Sequence, residues 1–196
     1  AYLLKDSGLK IGIIEATKTG YGVTGYTTAK ITVQHDLFYA HLINNFSLDE
    51  AKQYLKANEE GLKLIKAIIQ ENNIQCDFKD QTAYVYASSE DEIDDLKREL
   101  KAYGKLGIDG FYTDSVPLPN KAYGAVGIRN QGQFNPLKYL YSLYNIVNAG
   151  NCKIYENVRA LNIKPHNGHI DVETDAGIIH ADKVVAASRI RFNIYM

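Results

Sequence analysis

Hydrophobic and polar positions along this chain follow two spacings, one typical of strands and the other of helices. Residues 10–16 hold closely spaced isoleucines, as in a buried parallel strand, and Glu15 stands at the carboxyl end of that strand. Residues 48–72 carry apolar residues at helical spacing, and Ser47 with Glu50 forms a capping box before them. The chain is therefore predicted to contain a buried strand followed by a long helix.

The remaining pattern predicts short strands and further helices. It predicts the end of a helix over 2–7, a hairpin over 75–87, a helix over 88–103, a strand over 123–129 and a helix over 135–150. Beyond position 151 it predicts a strand, a three-stranded meander and a final buried strand, at 152–155, 160–164, 170–174, 178–180 and 183–187. The expected fold class is therefore mixed α/β.

Composition narrows the kinds of protein that fit. With 196 residues, 45% of them hydrophobic and 23% charged, the chain suits one ordinary domain or two small ones. A net charge of −1 provides no positive field to attract nucleic acid. The apolar runs are too short for a membrane span. Cys76 and Cys152 form no paired motif, so no disulfide framework is expected and a reducing, cytoplasmic location fits best.

The segment over 17–32 is rich in threonine and glycine, a composition typical of loops that hold ligands. Gly20, Gly22 and Gly25 satisfy the pattern GxGxxG, which in a nicotinamide-dependent dehydrogenase forms the pyrophosphate turn. In that motif the acidic residue follows the glycines, whereas Glu15 precedes them. A flexible loop is the alternative interpretation of the same glycines.

Other polar residues are open to two interpretations each. Glu15 either accepts the hydroxyls of an adenosine ribose or is a strand-end charge that faces water. Lys30 and His35 either face an anionic intermediate or are ordinary surface residues. Three histidines of the predicted meander have no acidic or cysteine partner at metal spacing, so no metal site is predicted; they are His166, His169 and His180. No sequence signature of a serine hydrolase, zinc protease or P-loop NTPase is present.

Three segments in order, 10–32, 131–143 and 157–188, resemble the FAD-dependent oxidoreductases of the D-amino-acid oxidase and glycine oxidase superfamily. TGYTTAKIT followed by QHD is most similar to a bacterial branch whose members often carry a Rieske iron–sulfur domain. The resemblance implies FAD as cofactor, and an incomplete Rossmann-like FAD-binding domain with an inserted β-sheet substrate domain. By that resemblance the FAD-binding parts are residues 1–74 and 131–196, and the substrate part is residues 75–130.

The resemblance also implies the residues that would contact FAD. Glu15 corresponds to the acid on the ribose, Val158 to the residue whose backbone meets the adenine, and the loop over 19–28 to the segment passing the pyrophosphate and flavin. The small residues at 186–188 correspond to a turn that approaches the cofactor closely. The complete set of implied FAD-binding residues is Glu15, Ala16, Thr24, Gly25, Thr27, Thr28, Val158, Ala187 and Ser188.

The implied activity is transfer of a hydride from a small substrate, an amine or amino acid, to flavin. The resemblance identifies no catalytic base, and a Rieske domain or another electron acceptor is an implied partner. The family's first strand and its GxGxxG turn have no counterpart in this chain, which is therefore expected to bind FAD weakly. The second half of the substrate sheet and the final FAD-binding strand and helix also have none, so the resemblance implies truncation at both ends. Two alternatives stay open: a non-catalytic α/β binding module and a nicotinamide-dependent dehydrogenase.

Overall fold

The computed structural model describes residues 1–27, 29–117 and 122–187. The chain divides into two compact units. The terminal unit comprises Ala1–Tyr26 and Leu140–Met196, and the central unit comprises Thr27–Tyr139. Both parallel and antiparallel strand pairs occur together with helices, so the predicted mixed α/β class is confirmed.

The helices and strands of the described residues are as follows. The helices are α1 Phe38–Asn45, α2 Leu48–Glu71, α3 Ile93–Leu106 and α4 Pro136–Asn148. The strands are β1 Ile11–Glu15, β2 Lys30–Ile31, β3 Lys79–Ala87, β4 Gly110–Thr113, β5 Gly124–Gln133, β6 Cys152–Glu156, β7 Ala160–His166, β8 His169–Thr174 and β9 Gly177–Ala181. Short 3₁₀ helices lie at Tyr2–Leu4, Val23–Tyr26 and Glu90–Glu92. Within the described residues, no helix is both long and apolar enough to cross a membrane.

The terminal unit contains two small sheets. In the first, β1 pairs in parallel with β6, and the register runs from Ile11 opposite Cys152 to Glu15 opposite Glu156. In the second, β7, β8 and β9 form an antiparallel meander. Because β1 and β6 are parallel and in register, their carboxyl ends lie at the same edge of the sheet.

The central unit contains one antiparallel sheet organised around β5. Strand β3 pairs along most of β5, and β2 and β4 pair with different parts of the same strand. The buried core of this unit packs the helices α1, α2 and α3 against the sheet; its most buried members are Tyr39, Ala51, Ala87, Leu96, Tyr103 and Val126. Cys76 of this unit and Cys152 of the terminal unit are buried free thiols.

A buried carboxylate joins α1 to α3. Glu99 of α3 is fully buried, and its two oxygens accept the backbone N–H groups of Tyr39 at 2.9 Å and of Ala40 at 2.8 Å. These N–H groups belong to the first turn of α1, where no partner within the helix exists. Burial raises the pKa of the Glu99 carboxyl, and the two N–H donors partly offset that rise. Glu99 thus caps a helix that lies about 60 positions earlier in the chain.

The structure corrects several sequence predictions. The segment over 75–87 is not a hairpin, since residues 79–87 form the single strand β3, which pairs with β5. The predicted helix end over 2–7 is only a 3₁₀ turn. The predicted buried strand over 183–187 is irregular, and Val185 is 88% exposed. A strand needs a partner for its backbone, and none of the described strands pairs with that segment.

Replacing Gly127 with alanine is expected to destabilise the central unit by about 2 kcal/mol, because a buried strand position would be overpacked. Gly127 lies directly opposite Phe111 in the pairing of β4 with β5. A Cβ atom at Gly127 would lie 2.5 Å from Cζ of the Phe111 ring. The same ring contacts Arg129, whose guanidinium carbon lies 4.1 Å from the ring centroid. Urea unfolding followed by circular dichroism measures the loss.

The matched control for this prediction is Gly61→Ala. Gly61 lies inside α2, and a Cβ there would meet no atom within 4 Å. Alanine is favoured over glycine in a helix by up to about 1 kcal/mol, so this variant should be neutral or more stable. Equal unfolding midpoints for the two variants would contradict the close contact at Phe111.

Candidate functional site

Two carboxylates lie side by side at one edge of the parallel sheet of the terminal unit. Glu15 is the last residue of β1, and its register partner Glu156 is the last residue of β6. Oε1 of Glu15 accepts hydrogen bonds from the backbone N–H of Thr17 at 2.9 Å and from its hydroxyl at 3.0 Å. The Glu15 carboxylate is therefore oriented by the loop that follows its own strand.

Glu156 holds the same loop from the neighbouring strand. Its Oε1 accepts the backbone N–H of Thr19 at 2.8 Å. Hydrogen bonds from the backbone and side chain of Thr19 hold the pKa of the Glu156 carboxyl below its usual range. The sequence predictions did not include Glu156. Its place at the end of a predicted strand, like that of Glu15, is the signal that could have found it.

Backbone hydrogen bonds connect the two strand ends. The N–H of Asn157 donates to the carbonyl of Thr17 at 2.8 Å, and the N–H of Val158 donates to the carbonyl of Glu15 at 3.0 Å. Asn157 has a φ of 57°, so the chain turns sharply just after β6. The structure thus places Val158 beside Glu15 and Ala16, in the connection between β6 and β7.

The glycine-rich loop does not have the geometry of a dinucleotide fingerprint. Gly20 and Gly22 have positive φ angles of 85° and 92°, and the four-residue 3₁₀ helix that contains Thr24 and Gly25 follows them. A pyrophosphate turn needs an α-helix immediately after the glycines, since the N-terminus of that helix binds the phosphates. The nicotinamide interpretation of Gly20–Gly25 therefore lacks its structural requirement.

The other predicted site residues are placed as follows. Thr27 is exposed, and its hydroxyl accepts the N–H of Ala29 at 3.4 Å. Ala187 is exposed in the irregular segment that ends the described part of the chain. Thr28 and Ser188 lie outside the described residues. His35 hydrogen-bonds the Tyr54 hydroxyl at 2.9 Å, and burial together with the charge of Lys30 lowers the pKa of its imidazole.

The carboxylate of Glu15 fits the role of a ribose acceptor. Both described hydrogen bonds at this carboxylate go to Oε1, so the second oxygen is available to accept a ribose hydroxyl. The side chain is partly exposed at the edge of the sheet, where a ligand has access to it. An acid at the carboxyl end of a parallel strand is the arrangement that binds adenosine ribose in dinucleotide-binding folds.

The prediction that the meander histidines lack an acidic partner is wrong. Asp171 of β8 lies within 3.2 Å of a ring nitrogen of each of the three histidines His166, His169 and His180. A hydrogen bond to His180 and the charges of the histidines lower the pKa of the Asp171 carboxyl. Asp171 is two positions from His169 on the same face of β8, a local signal that the sequence prediction overlooked. Only cross-strand pairing brings His180 to the same carboxylate.

A parallel strand that ends on a carboxylate beside a turn-rich loop is a feature of the class of proteins that bind a dinucleotide cofactor. Residues 1–189 match the family described as FAD dependent oxidoreductase (DAO), and the chain belongs to that family. The predicted membership of a family of FAD-dependent oxidoreductases is thereby confirmed.

Solved structures of other proteins share the fold of this chain. The crystal structure of glycine oxidase from Geobacillus kaustophilus has a TM-score of 0.72 and 19% identity, over 95% of this chain and 50% of the other. L-proline dehydrogenase from P. horikoshii has a TM-score of 0.71 and 19% identity, over 91% of this chain and 46% of the other.

One relative is considerably more similar in sequence. YhfW of Bacillus subtilis, whose name assigns it to the Rieske 2Fe-2S iron–sulfur proteins, is 38% identical over 84% of this chain. The chain spans 32% of YhfW and 44% of OrdL from Haemophilus influenzae, which is an oxidoreductase by name. It therefore corresponds to less than half the length of these relatives.

Proposed function

We propose that this chain is the part of an FAD-dependent oxidoreductase that binds the adenosine end of FAD, and that the enzyme oxidises a small amine or amino acid. The observation that carries the proposal is the position of Glu15 at the carboxyl end of a parallel strand pair, in a chain that matches the FAD dependent oxidoreductase family. FAD, when bound, supplies the acceptor for a hydride that leaves a substrate C–H bond.

The names of similar proteins support the substrate class. Glycine oxidase and L-proline dehydrogenase are among the proteins of similar fold, and gamma-glutamylputrescine oxidoreductase of Escherichia coli is 18% identical over 94% of this chain. Each of these names refers to a substrate with a carbon–nitrogen bond. A substrate with a C–H bond beside an amine nitrogen is therefore our proposal for this enzyme.

The residues of the terminal unit have distinct roles in this proposal. Glu15 accepts ribose hydroxyls, and Thr17 orients its carboxylate. Glu156 anchors Thr19 and so fixes the start of the loop that contains Thr24 and Gly25. The backbone of Val158, held by the Glu15 carbonyl, lies where the adenine is proposed to bind. Fixed donors and acceptors of this kind lower the entropic cost of binding a flexible cofactor.

The remaining assignments from the sequence are part of the same proposal. Residues 75–130 contribute to substrate binding, residues 1–74 and 131–196 contribute to FAD binding, and Ala16, Thr27, Thr28, Ala187 and Ser188 contribute further contacts to FAD. A Rieske iron–sulfur domain or another electron acceptor is the proposed partner, and the name of YhfW supports it. We propose a cytoplasmic location, with which the buried free thiols are compatible.

The test is the visible absorbance spectrum of the protein expressed from the complete gene that encodes this chain. Oxidised flavin gives characteristic bands, and heat denaturation followed by centrifugation should leave those bands in the supernatant, because a non-covalent cofactor is released on unfolding. Amines and amino acids are then screened for bleaching of the bands without oxygen, since a substrate that donates a hydride reduces the flavin.

Two results would count against the proposal. A protein that is colourless and stays colourless after addition of FAD would favour the non-catalytic binding module. Protection of the fold from thermal unfolding by NADH but not by FAD would favour the nicotinamide-dependent dehydrogenase. If the protein contains bound flavin but no amine or amino acid reduces it, FAD would remain the proposed cofactor and the proposed substrate class would be wrong.

A further inference from the structure

The meander of β7, β8 and β9 has one apolar and one polar face. Side chains alternate between the faces of a strand, and residues directly opposite each other on neighbouring strands share a face. Ile163, Val172 and Ile179 stand opposite one another across the three strands, and Ile163 and Val172 are buried. The polar face is the opposite one, and it carries every second residue of β8 from His169 onward.

Three histidines and one aspartate meet on that polar face; we call them the histidine cluster, which consists of His166, His169, Asp171 and His180. His166 stands opposite His169 across the β7–β8 turn, and His180 stands opposite Asp171 across β8 and β9. The pairing of the strands therefore determines which side chains meet, and the backbone hydrogen bonds of the meander hold their Cα positions.

The contacts within the cluster converge on Asp171. Its Oδ1 lies 2.6 Å from Nδ1 of His180 and 3.2 Å from Nε2 of His169, and its Oδ2 lies 3.2 Å from Nε2 of His166. The Asp171 side chain is 18% exposed, whereas that of His180 is 68% exposed. The carboxylate thus lies at the base of the cluster and the imidazole rings stand around it, open to ions from solvent.

The donor set matches that of a divalent transition metal. Imidazole nitrogens with a carboxylate oxygen are typical ligands of Zn²⁺, which binds them at about 2.0–2.2 Å in tetrahedral geometry, so that ligand atoms lie roughly 3.4 Å apart. The ligand atoms of His169, Asp171 and His180 all lie within 4.8 Å of one another. The Asp171 oxygen lies 2.6 Å and 3.2 Å from the two histidine nitrogens, so binding of Zn²⁺ would require these side chains to separate slightly from the carboxylate.

The nearest cation on the same face is already engaged. Lys164 stands opposite Asp171 across β7 and β8, where its charge would otherwise oppose a metal ion. Its ammonium lies 2.5 Å from Oε1 of Glu173, which belongs to the same face of β8. This ion pair offsets the charge of the lysine, and the Asp171 carboxylate contacts the histidines instead.

We propose that the histidine cluster is a metal site that binds one divalent transition-metal ion, with Zn²⁺ as the probe, through His169, Asp171 and His180. His166, whose Nε2 lies 3.2 Å from the other oxygen of Asp171, orients that carboxylate. Such a site joins β8 to β9 through side chains as well as through the backbone. It is independent of the FAD-binding residues, since none of them belongs to the cluster.

The experiment is calorimetric titration of the 196-residue chain, free of any histidine tag, with zinc chloride. We expect one Zn²⁺ per chain. The variants Asp171→Asn and His180→Ala should each weaken zinc binding by at least about tenfold. Replacing a residue that only hydrogen-bonds a metal ligand already lowers metal affinity by about that factor, and replacing the ligand itself should lower it at least as much. His41→Ala is the matched control: His41 is an exposed histidine on α1, and its removal should leave the affinity unchanged.

A second measurement does not depend on variants. The chain has five histidines, and their ring protons are observed separately by NMR. Addition of Zn²⁺ should shift the signals of His166, His169 and His180 and leave those of His35 and His41 in place. Zinc binding of equal strength in wild type, Asp171→Asn and His180→Ala, or shifts spread evenly over all five histidines, would overturn the proposal.

Discussion

The Glu15→Gln variant of the complete protein is expected to bind FAD about 30-fold more weakly than the wild type, a loss of about 2 kcal/mol. A carboxylate accepts hydrogen bonds from hydroxyl groups more strongly than a neutral amide does, and each such bond contributes about 1.5–3 kcal/mol. The amide of glutamine retains one acceptor, which limits the loss. Titration of the apoprotein with FAD, followed by flavin fluorescence, measures the dissociation constants.

Glu60→Gln is the matched control for this prediction. Glu60 lies on α2, its side chain is 65% exposed, and its ion pair with Lys56 is long, at 3.9 Å. The same chemical change at this position should leave FAD affinity unchanged. If Glu15→Gln bound FAD as tightly as Glu60→Gln, the assignment of Glu15 to the ribose would be wrong. The membership of the family, which does not depend on Glu15, would be unaffected.

The Glu99→Ala variant is expected to lower the free energy of unfolding by about 3 kcal/mol. The substitution leaves the N–H groups of Tyr39 and Ala40 without their acceptor in the buried core, and each orphaned group costs about 1–3 kcal/mol. The substitution also removes the cost of burying a charged carboxylate. The net loss of stability is therefore smaller than the summed cost of the two orphaned N–H groups. Urea unfolding followed by circular dichroism should show a lower midpoint with a similar slope.

Two further variants test the cause of that loss. Glu99→Gln retains the size of the side chain and one acceptor oxygen, so about half of the loss is expected. Glu60→Ala removes an exposed carboxylate and should change stability by no more than about 0.5 kcal/mol. A Glu99→Ala variant as stable as Glu60→Ala would show that the two hydrogen bonds to α1 contribute nothing net.

Elements with local signals were predicted correctly. Helix α2 runs from Leu48 to Glu71, and the Ser47 hydroxyl accepts the N–H of Glu50, as the capping box indicated. The crowded isoleucines before Glu15 form β1 as predicted, with a parallel partner. The strands at 160–164, 170–174 and 178–180 all lie within the observed meander. Each of these elements is specified by residues only a few positions apart.

Helix α1 was missed because its stabilising contact is distant in sequence. Its N-cap residue, Leu37, makes no side-chain capping hydrogen bond. The cap is Glu99, which reaches the helix only after the central unit has folded. The opposite error occurred at 183–187, where an apolar run suggested a strand but the described structure pairs none with it.

The pattern along the chain was enough to predict the mixed α/β class and the strand that ends on Glu15. The order of several segments was enough to predict membership of the FAD dependent oxidoreductase family. Only the tertiary structure showed that Glu156 lies beside Glu15 and that three histidines surround Asp171. The physical reason is that spacing along a chain reports local conformation. Strand register decides which side chains meet across a sheet, and it depends on turn geometry and on which face of each strand is buried.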